Sequence, residues 1–383
     1  MASEPQMPTG PENPQALKHI FNRQRLEHIA DQALAVCPAF DRSRFLALCD
    51  DGAQALSVMQ RMRRVATSLH AALPGGYRQN LEVLRRLAPR IDESAFVCLA
   101  LSEYVAIHGL DDFDVSMDAL KFFTTFGSAE FAIRPFLLQD LDRTMAVMRS
   151  WAGDADEHVR RLASEGSRPR LPWAGRIPAL AADPSRAEPI LQRLRSDPAP
   201  YVRKSVANHL NDIGKEHPAW VMSRLEAWPL ATDRHSAWIA RHALRSLIKQ
   251  GDRRALAIVG AGAAPELSVV DFSLRPTALR LGDRLCLALT LRSTAAGSQR
   301  LVVDYAIHYV KAAGHASAKV FKWKTLDLPP GGSVTLERSQ VVRDFSTRKH
   351  HPGRHAVVVT VNGEPVAQSA FDLRQAEGGD AGS

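Results

Sequence analysis

With 45% hydrophobic and 23% charged residues in 383, the chain has the composition of an ordinary soluble globular protein, and its length suits about two to three domains. No apolar run approaches the roughly 20 residues that cross a bilayer and the N-terminus shows no basic-then-apolar signal pattern, which leads us to expect a cytoplasmic protein, in a bacterial-type cell with direct access to the chromosome. The net charge of +8 is uneven: residues 1–120 carry 12 Lys/Arg against 15 Asp/Glu, residues 121–264 carry 22 against 15, and residues 265–383 carry 15 against 11, the asymmetry of a nucleic-acid binder.

Residues 1–15 are rich in Pro, Gly and polar residues and read as a loose tail. From about Ala16 to Arg90 apolar residues recur at helical spacing, as at Phe45, Leu46 and Leu48, then Ala53, Leu56 and Met59. Helices continue over 94–150, punctuated at Gly109–Asp112 and Phe126–Ser128. Next comes a repeat. Asp154–Glu165 (DADEHVRRLASE) is echoed by Asp197–Asp212 (DPAPYVRKSVANHLND) and more loosely by Asp233–Leu247 (DRHSAWIARHALRSL). Val159, Val202 and Ile239 lie 43 and 37 residues apart, the spacing of two-helix HEAT-type repeats.

A helical wheel started at Val202 places Val206, Leu210 and Ile213 in one apolar arc, with His209 among them as a packed core histidine. Lys204, Asn208, Asn211, Asp212 and Lys215 share a polar arc. The same phase puts Arg161 and Glu165 there in the first copy, and Arg241, Arg245 and Lys249 in the third. Each residue alone reads as part of a solvated face. Together they make a mostly cationic stripe with two acids, Glu165 and Asp212, and a cationic stripe on a curved helical stack suits a nucleic-acid backbone.

After Gly260–Pro265 the pattern shortens and alternates, over Leu285–Leu291, Leu301–Val310, Ala318–Lys324, Ser333–Leu336 and Ala356–Val361, with turn residues such as Asn362–Gly363 between. This reads as an immunoglobulin-like antiparallel sandwich. The expected fold is therefore an α-solenoid followed by an all-β sandwich, divided into tails at 1–15 and 376–383, a repeat domain at 16–260, a linker at 261–265 and a sandwich at 266–375. Cys37, Cys49, Cys98 and Cys286 have no ligand spacing and read as small core residues of a reducing compartment. No metal and no cofactor is expected.

The run Glu157–Ala174 (EHVRRLASEGSRPRLPWA), with Tyr201–Asp212, closely resembles the AlkC branch of the AlkC/AlkD DNA alkylation-repair glycosylases. His108–Asp114 (HGLDDFD), Ala129–Phe136 (AEFAIRPF) and Arg241–Arg245 (RHALR) match as well, so the resemblance covers most of residues 16–260. An immunoglobulin-like C-terminal domain occurs in part of that branch. The resemblance implies hydrolysis of the N-glycosidic bond of N-alkylated bases, typically 3-methyladenine and 3-methylcytosine, in duplex DNA, by a protein that bends the DNA and probes the lesion from the backbone side.

Such a base is cationic and leaves without a strong general acid, whereas the sugar develops oxocarbenium-like charge that nearby carboxylates can stabilise while one orients water. Glu165 and Asp212 are in phase on neighbouring repeats, and the resemblance adds Glu130. Ser128 followed by Glu130 also reads as an N-cap with a first-turn acid. Trp173, after the proline-broken Arg168–Pro172, is placed by the resemblance at the lesion, with Phe131 as a second apolar wall. Arg160, Arg161, Arg168, Lys204, Asn208, Arg241 and Arg245 are candidate DNA contacts, and in the sandwich Lys322, Arg348 and Lys349 are candidates too. Lys319, Lys322 and Lys324 read as one face of a strand. A monomer acting on double-stranded DNA that contains alkylated bases is expected. The alternatives are a non-catalytic repeat scaffold and, less well supported, a metal-dependent nuclease.

Overall fold

Asp residues at the repeat starts turn their carboxylates onto nearby backbone amides, and two of them, Asp156 and Asp233, are helix N-caps. In the computed structural model, which describes residues 19–91, 95–345 and 349–374, Asp156 accepts hydrogen bonds from the backbone of His158 and Val159, Asp197 from Ala199, and Asp233 from His235. The echo also repeats a second device. Arg160 folds back onto the carbonyls of Asp154 and Ala155, and Arg203 onto those of Asp197 and Pro198, at the same offsets. The Val-Arg pair of the repeat is thus one core residue followed by one residue that ties its own helix start.

The chain divides into two compact units between His217 and Pro218. In the first, helices run α1 Arg23–Val36, α2 Arg42–Asp50, α3 Val58–Ala72, α4 Tyr77–Leu87, α5 Ala95–His108, α6 Phe113–Phe123, α7 Arg134–Gln139, α8 Leu141–Trp151, α9 Glu157–Gly166, α10 Pro178–Ala182, α11 Glu188–Leu194 and α12 Pro200–Ile213. α9 packs on α8 and α12. Val159, Leu162, Val202, Val206, Leu210 and His209 are all 0–1% exposed, so the helical wheel assigned the core face of both repeats correctly.

The second unit begins with α13 Pro218–Glu226, α14 Arg234–Ala243, α15 Arg245–Lys249 and α16 Arg253–Ile258. The third repeat helix is not continuous, because Leu244 (φ −81°, ψ 1°) separates α14 from α15. Arg241, Arg245 and Lys249 therefore do not share one uninterrupted helix face. Strands follow: β1 Leu267–Arg275, β2 Ala278–Leu279, β3 Arg284–Ser293, β4 Gln299–Val310, β5 Ala316–Leu328, β6 Ser333–Val341, β7 Gly353–Val361 and β8 Glu364–Leu373. They form a three-stranded sheet β1-β3-β6 and a five-stranded sheet β2-β8-β7-β4-β5, antiparallel except for the short β2–β8 pair.

Alternation builds this sandwich. Leu285, Leu287, Leu289 and Leu291 of β3 face Val303, Tyr305, Ile307, Val357, Val359 and Val361 in one core. Asn362 (φ 49°) and Gly363 (φ 82°) both take positive φ at the β7–β8 turn, the reason an Asn-Gly pair stands there. On β4 the other face is buried as well: Val302 packs with Leu256, Ala261, Ile248 and Val259, so the α15–α16 segment covers the sheet. Cys286 departs from expectation. It is exposed, since its neighbours Leu285 and Leu287 take the inward positions, while Cys49 and Cys98 are buried. Among the described residues, no helix is long and apolar enough to cross a membrane, and no cluster of His, Cys, Asp and Glu could hold a metal ion.

Candidate active site

Three carboxylates from three segments meet in one buried chain of ion pairs. Glu130 lies in the turn before α7, Glu165 at the end of α9 and Asp212 at the end of α12; they are 3%, 6% and 4% exposed. Arg161 donates both terminal nitrogens to Glu130, at 2.7 and 3.3 Å, and lies 3.6 Å from Glu165. Arg168 bridges the other two acids. Its Nη1 is 2.6 Å from Glu165 Oε1, and its Nε and Nη2 are 2.8 and 2.6 Å from Asp212 Oδ2. The Ser205 hydroxyl donates to Glu165 Oε2 at 2.6 Å, and Lys215 Nζ donates to Asp212 Oδ1 at 2.9 Å.

The repeat spacing explains this convergence. α9 and α12 pack side by side, so residues at their C-terminal ends share one end of the stack, and the Ser167–Arg176 loop drops Arg168 between them. Ser128 does not cap a helix here. Its hydroxyl instead accepts from Arg161 Nη1 at 2.6 Å, so Ser128 and Glu130 both orient that guanidinium.

Electrostatically Glu165 is held charged. Burial works against ionisation of Glu165, but Arg161, Arg168 and the Ser205 hydroxyl outweigh it and keep the carboxyl below its ordinary range. The same attraction raises Arg161 and Arg168 against the cost of their own burial. The Arg161 guanidinium also lies 5.1 Å from the centre of the Tyr201 ring. His209, behind the acids on α12, is pushed down to about 4, mainly by burial, and is therefore neutral.

On the loop that carries Arg168, Trp173 stands 61% exposed, with φ of +66° and its ring centre 6.4 Å from that of Phe96 in an edge-on arrangement. Phe131, next to Glu130, is half-buried. Two cavities lie elsewhere, one against Leu110–Asp114 and Arg143, the other lined mainly by residues of α1, α2 and α3, and neither touches the acids.

Several expected DNA contacts prove to be something else. Arg161 and Arg168 are 7% and 6% exposed, with their donors turned onto carboxylates, so they hold the acids instead of facing a phosphate. Arg160 is likewise committed, in a two-pronged pair with buried Asp197 that joins one repeat to the next. Helical phasing placed Arg161 on the polar arc but could not show that a neighbouring helix covers it. Lys204 remains exposed and Asn208 half-buried.

In the second unit Arg241 is exposed and Arg245 donates to the His242 carbonyl at 2.6 Å. Partial burial and the nearby Arg300 lower Arg241, so two guanidiniums share that spot. Lys322 and Lys249 both act on buried Asp304 of β4, although burial dominates and pushes that carboxyl up to about 6. Lys319 is not on the Lys322 face, for its ammonium lies 5.3 Å from the ring centre of Phe321. Lys349 is exposed, and Arg348 lies outside the described residues. Residues that sequence reasoning missed are Ser205, Tyr201 and Arg134. The first two are small or aromatic positions of a repeat helix with nothing in their spacing to mark them. Arg134 stood in plain view in the Ala129–Phe136 motif.

Comparison with known proteins places this arrangement. Residues 59–247 match the family described as DNA alkylation repair enzyme, and residues 268–375 match the C-terminal Ig-like domain of the uncharacterised protein YhaZ. The solved structure of Pseudomonas fluorescens alkylpurine DNA glycosylase AlkC, bound to DNA containing an abasic site analog, is 57% identical, with a TM-score of 0.90 over 94% of this chain and 99% of that one. The uncharacterized protein YhaZ of Bacillus subtilis (strain 168) is 39% identical over 349 residues, 91% of this chain and 96% of the relative. The chain belongs to the AlkC family. Its helical repeats and its immunoglobulin-like sandwich are thus the two parts of an AlkC-type protein, and the buried acid cluster lies within the part matched to DNA alkylation repair enzymes.

Proposed function

We propose that this chain is a monofunctional DNA glycosylase that hydrolyses the N-glycosidic bond of cationic N-alkylated bases, 3-methyladenine and 3-methylcytosine among them, in duplex DNA. It acts as a monomer in the bacterial cytoplasm and begins base excision repair. The observation that carries the reading is the convergence of Glu130, Glu165 and Asp212 in one guanidinium-linked cluster, with an exposed indole on the loop that carries Arg168.

The chemistry follows from charge. A methylated base that already bears a positive charge departs as a neutral molecule, so the barrier lies in the cationic character left on the deoxyribose. Ionised carboxylates fixed beforehand stabilise that charge without reorganising at the moment of reaction. A carboxylate offers about four lone-pair sites. Glu165 accepts two close hydrogen bonds and Asp212 three, so each keeps acceptor capacity for a water or a cationic sugar. One of them orients or deprotonates the water that attacks the anomeric carbon. Arg161 and Arg168 keep Glu165 ionised and hold the three acids in place. Trp173 and Phe131 contact the lesion, and Lys204, Asn208, Arg241, Arg245, Lys249, Lys322, Arg348 and Lys349 supply contacts along the DNA.

The rival is a non-catalytic repeat scaffold, in which the same ion pairs would be structural only. Incubating the protein with methylated duplex DNA in EDTA, and separating the released bases by chromatography, decides between them. Free methylated base is expected, with the phosphodiester backbone intact. Absence of any released base from either 3-methyladenine or 3-methylcytosine substrates would overturn the proposal, and a requirement for magnesium would point to a nuclease.

A further inference from the structure

We propose that Arg134, which touches none of the three acids, is a positioning residue for excision: it clips shut the loop that carries Arg168 and Trp173. The inference rests on the glycosylase reading above and deepens it.

Arg134 is 4% exposed, and among the described residues no carboxylate pairs with it. Its guanidinium donates instead to three backbone carbonyls, those of Gly166 (3.1 Å), Arg168 (2.9 Å) and Gly175. Gly166 and Arg168 stand where the Ser167–Arg176 loop leaves α9, and Gly175 stands where it returns. One planar group with a fixed fork of donors thus ties both ends of the loop. The last carbonyls of a helix lack intrahelical donors, and that end of the dipole favours a cation, so the clip also finishes α9.

The close approach is built into the sequence. A Cβ at Gly166 would lie 2.6 Å from Ile133 Cγ2, so the end of α9 rests directly against the residue before Arg134. A buried cation without a carboxylate is unfavourable, and a Leu or Met would pack there more simply. Burial and the nearby Arg168 indeed lower the Arg134 pKa to about 10. What the guanidinium secures is the loop. Trp173 holds a positive φ that L-residues rarely adopt, and such a conformation persists only where the surroundings over-determine it. Arg170 and Arg176 both pair with Glu216 and brace the outer side of the same loop. Because the Arg168 side chain bridges Glu165 and Asp212 while its carbonyl is held by Arg134, a shift of the loop moves the indole and the acids' guanidinium together.

The test compares Arg134→Lys and Arg134→Ala with the parent in the full-length protein. Hydrogen exchange followed by mass spectrometry is expected to quicken over residues 167–177; unchanged exchange there overturns the clip. On methylated DNA, kcat is expected to fall on the order of ten- to a hundred-fold, as small misplacements of catalytic groups do, with DNA affinity held within about two-fold. Guanidinium ion is expected to restore part of the rate to Arg134→Ala. In a Trp173→Ala background the Arg134 substitution is expected to lose most of its effect, since both act through one loop. Fully additive losses overturn the positioning role, as does a Lys variant that does not fold, which makes the residue a determinant of the fold instead. A parent protein that releases no base while the exchange response stands removes the glycosylase reading and leaves the clip intact.

Discussion

At the scale of single residues, the proposed function depends on a carboxylate, Glu165, that stays ionised while buried. Glu165 does so because two guanidiniums and a hydroxyl overcome its loss of solvation. An acid whose pKa is lowered by folding stabilises the native state above its unfolded value, and that contribution is lost only as pH falls through the lowered folded value. Base release should therefore stay level from neutral pH down through the ordinary carboxylate range, near 4.5 for Glu. Arg168→Met removes one of the two guanidiniums that offset burial, so the acidic limb of the pH–rate profile is expected to move upward. A limb that stays in place would mean that Arg168 does not set the charge of Glu165.

At the scale of elements, the repeat periodicity and the alternating strands were legible because core faces obey fixed periods, as the 0–1% exposure of Val159, Val202, Val206 and Leu285 bears out. Residues that one helix buries against another were not. Arg161 looks like a surface cation on a wheel, yet α12 packs beside α9 and it is buried on Glu130, while Arg168, on the loop after α9, turns inward onto Glu165 and Asp212. The same limit hid β1 and β8, whose partly exposed patterns lack clean alternation.

On β4 a comparable burial strands Asp304, whose carboxyl is pushed up to about 6 with Lys322 and Lys249 as partial compensation. An acid with a raised folded pKa is protonated more readily in the native state, so stability falls as pH climbs from the unfolded value of 3.8 to about 6 and levels off above. Asp304→Asn is thus expected to stabilise the second unit at pH 8, by about 1–3 kcal/mol, and to change little at pH 4. Thermal or urea denaturation at the two pH values measures this. Equal shifts at both would show that the charge is not the cause.

For the whole molecule, the excess of positive charge after residue 120 is divided between cations already committed to acids and cations free to meet phosphate. Lys204 and Lys349 belong to the second class by exposure. Replacing either with Ala is expected to lower the slope of log K for DNA against log salt by about 0.9, the value for one phosphate no longer neutralised. Filter binding or fluorescence anisotropy across a salt series reads that slope, and an unchanged slope removes the residue from the DNA interface.

The most direct trial of the account separates catalysis from binding at one acid. In Asp212→Asn the side chain keeps its size but loses the charge that faces Arg168 and Lys215. Single-turnover release of methylated base should fall by roughly a hundred-fold or more, the scale of removing one electrostatic interaction from a transition state, while affinity for the same duplex changes by no more than a few-fold. Equal losses in rate and affinity, or no loss in rate, would contradict a catalytic role for the buried acids.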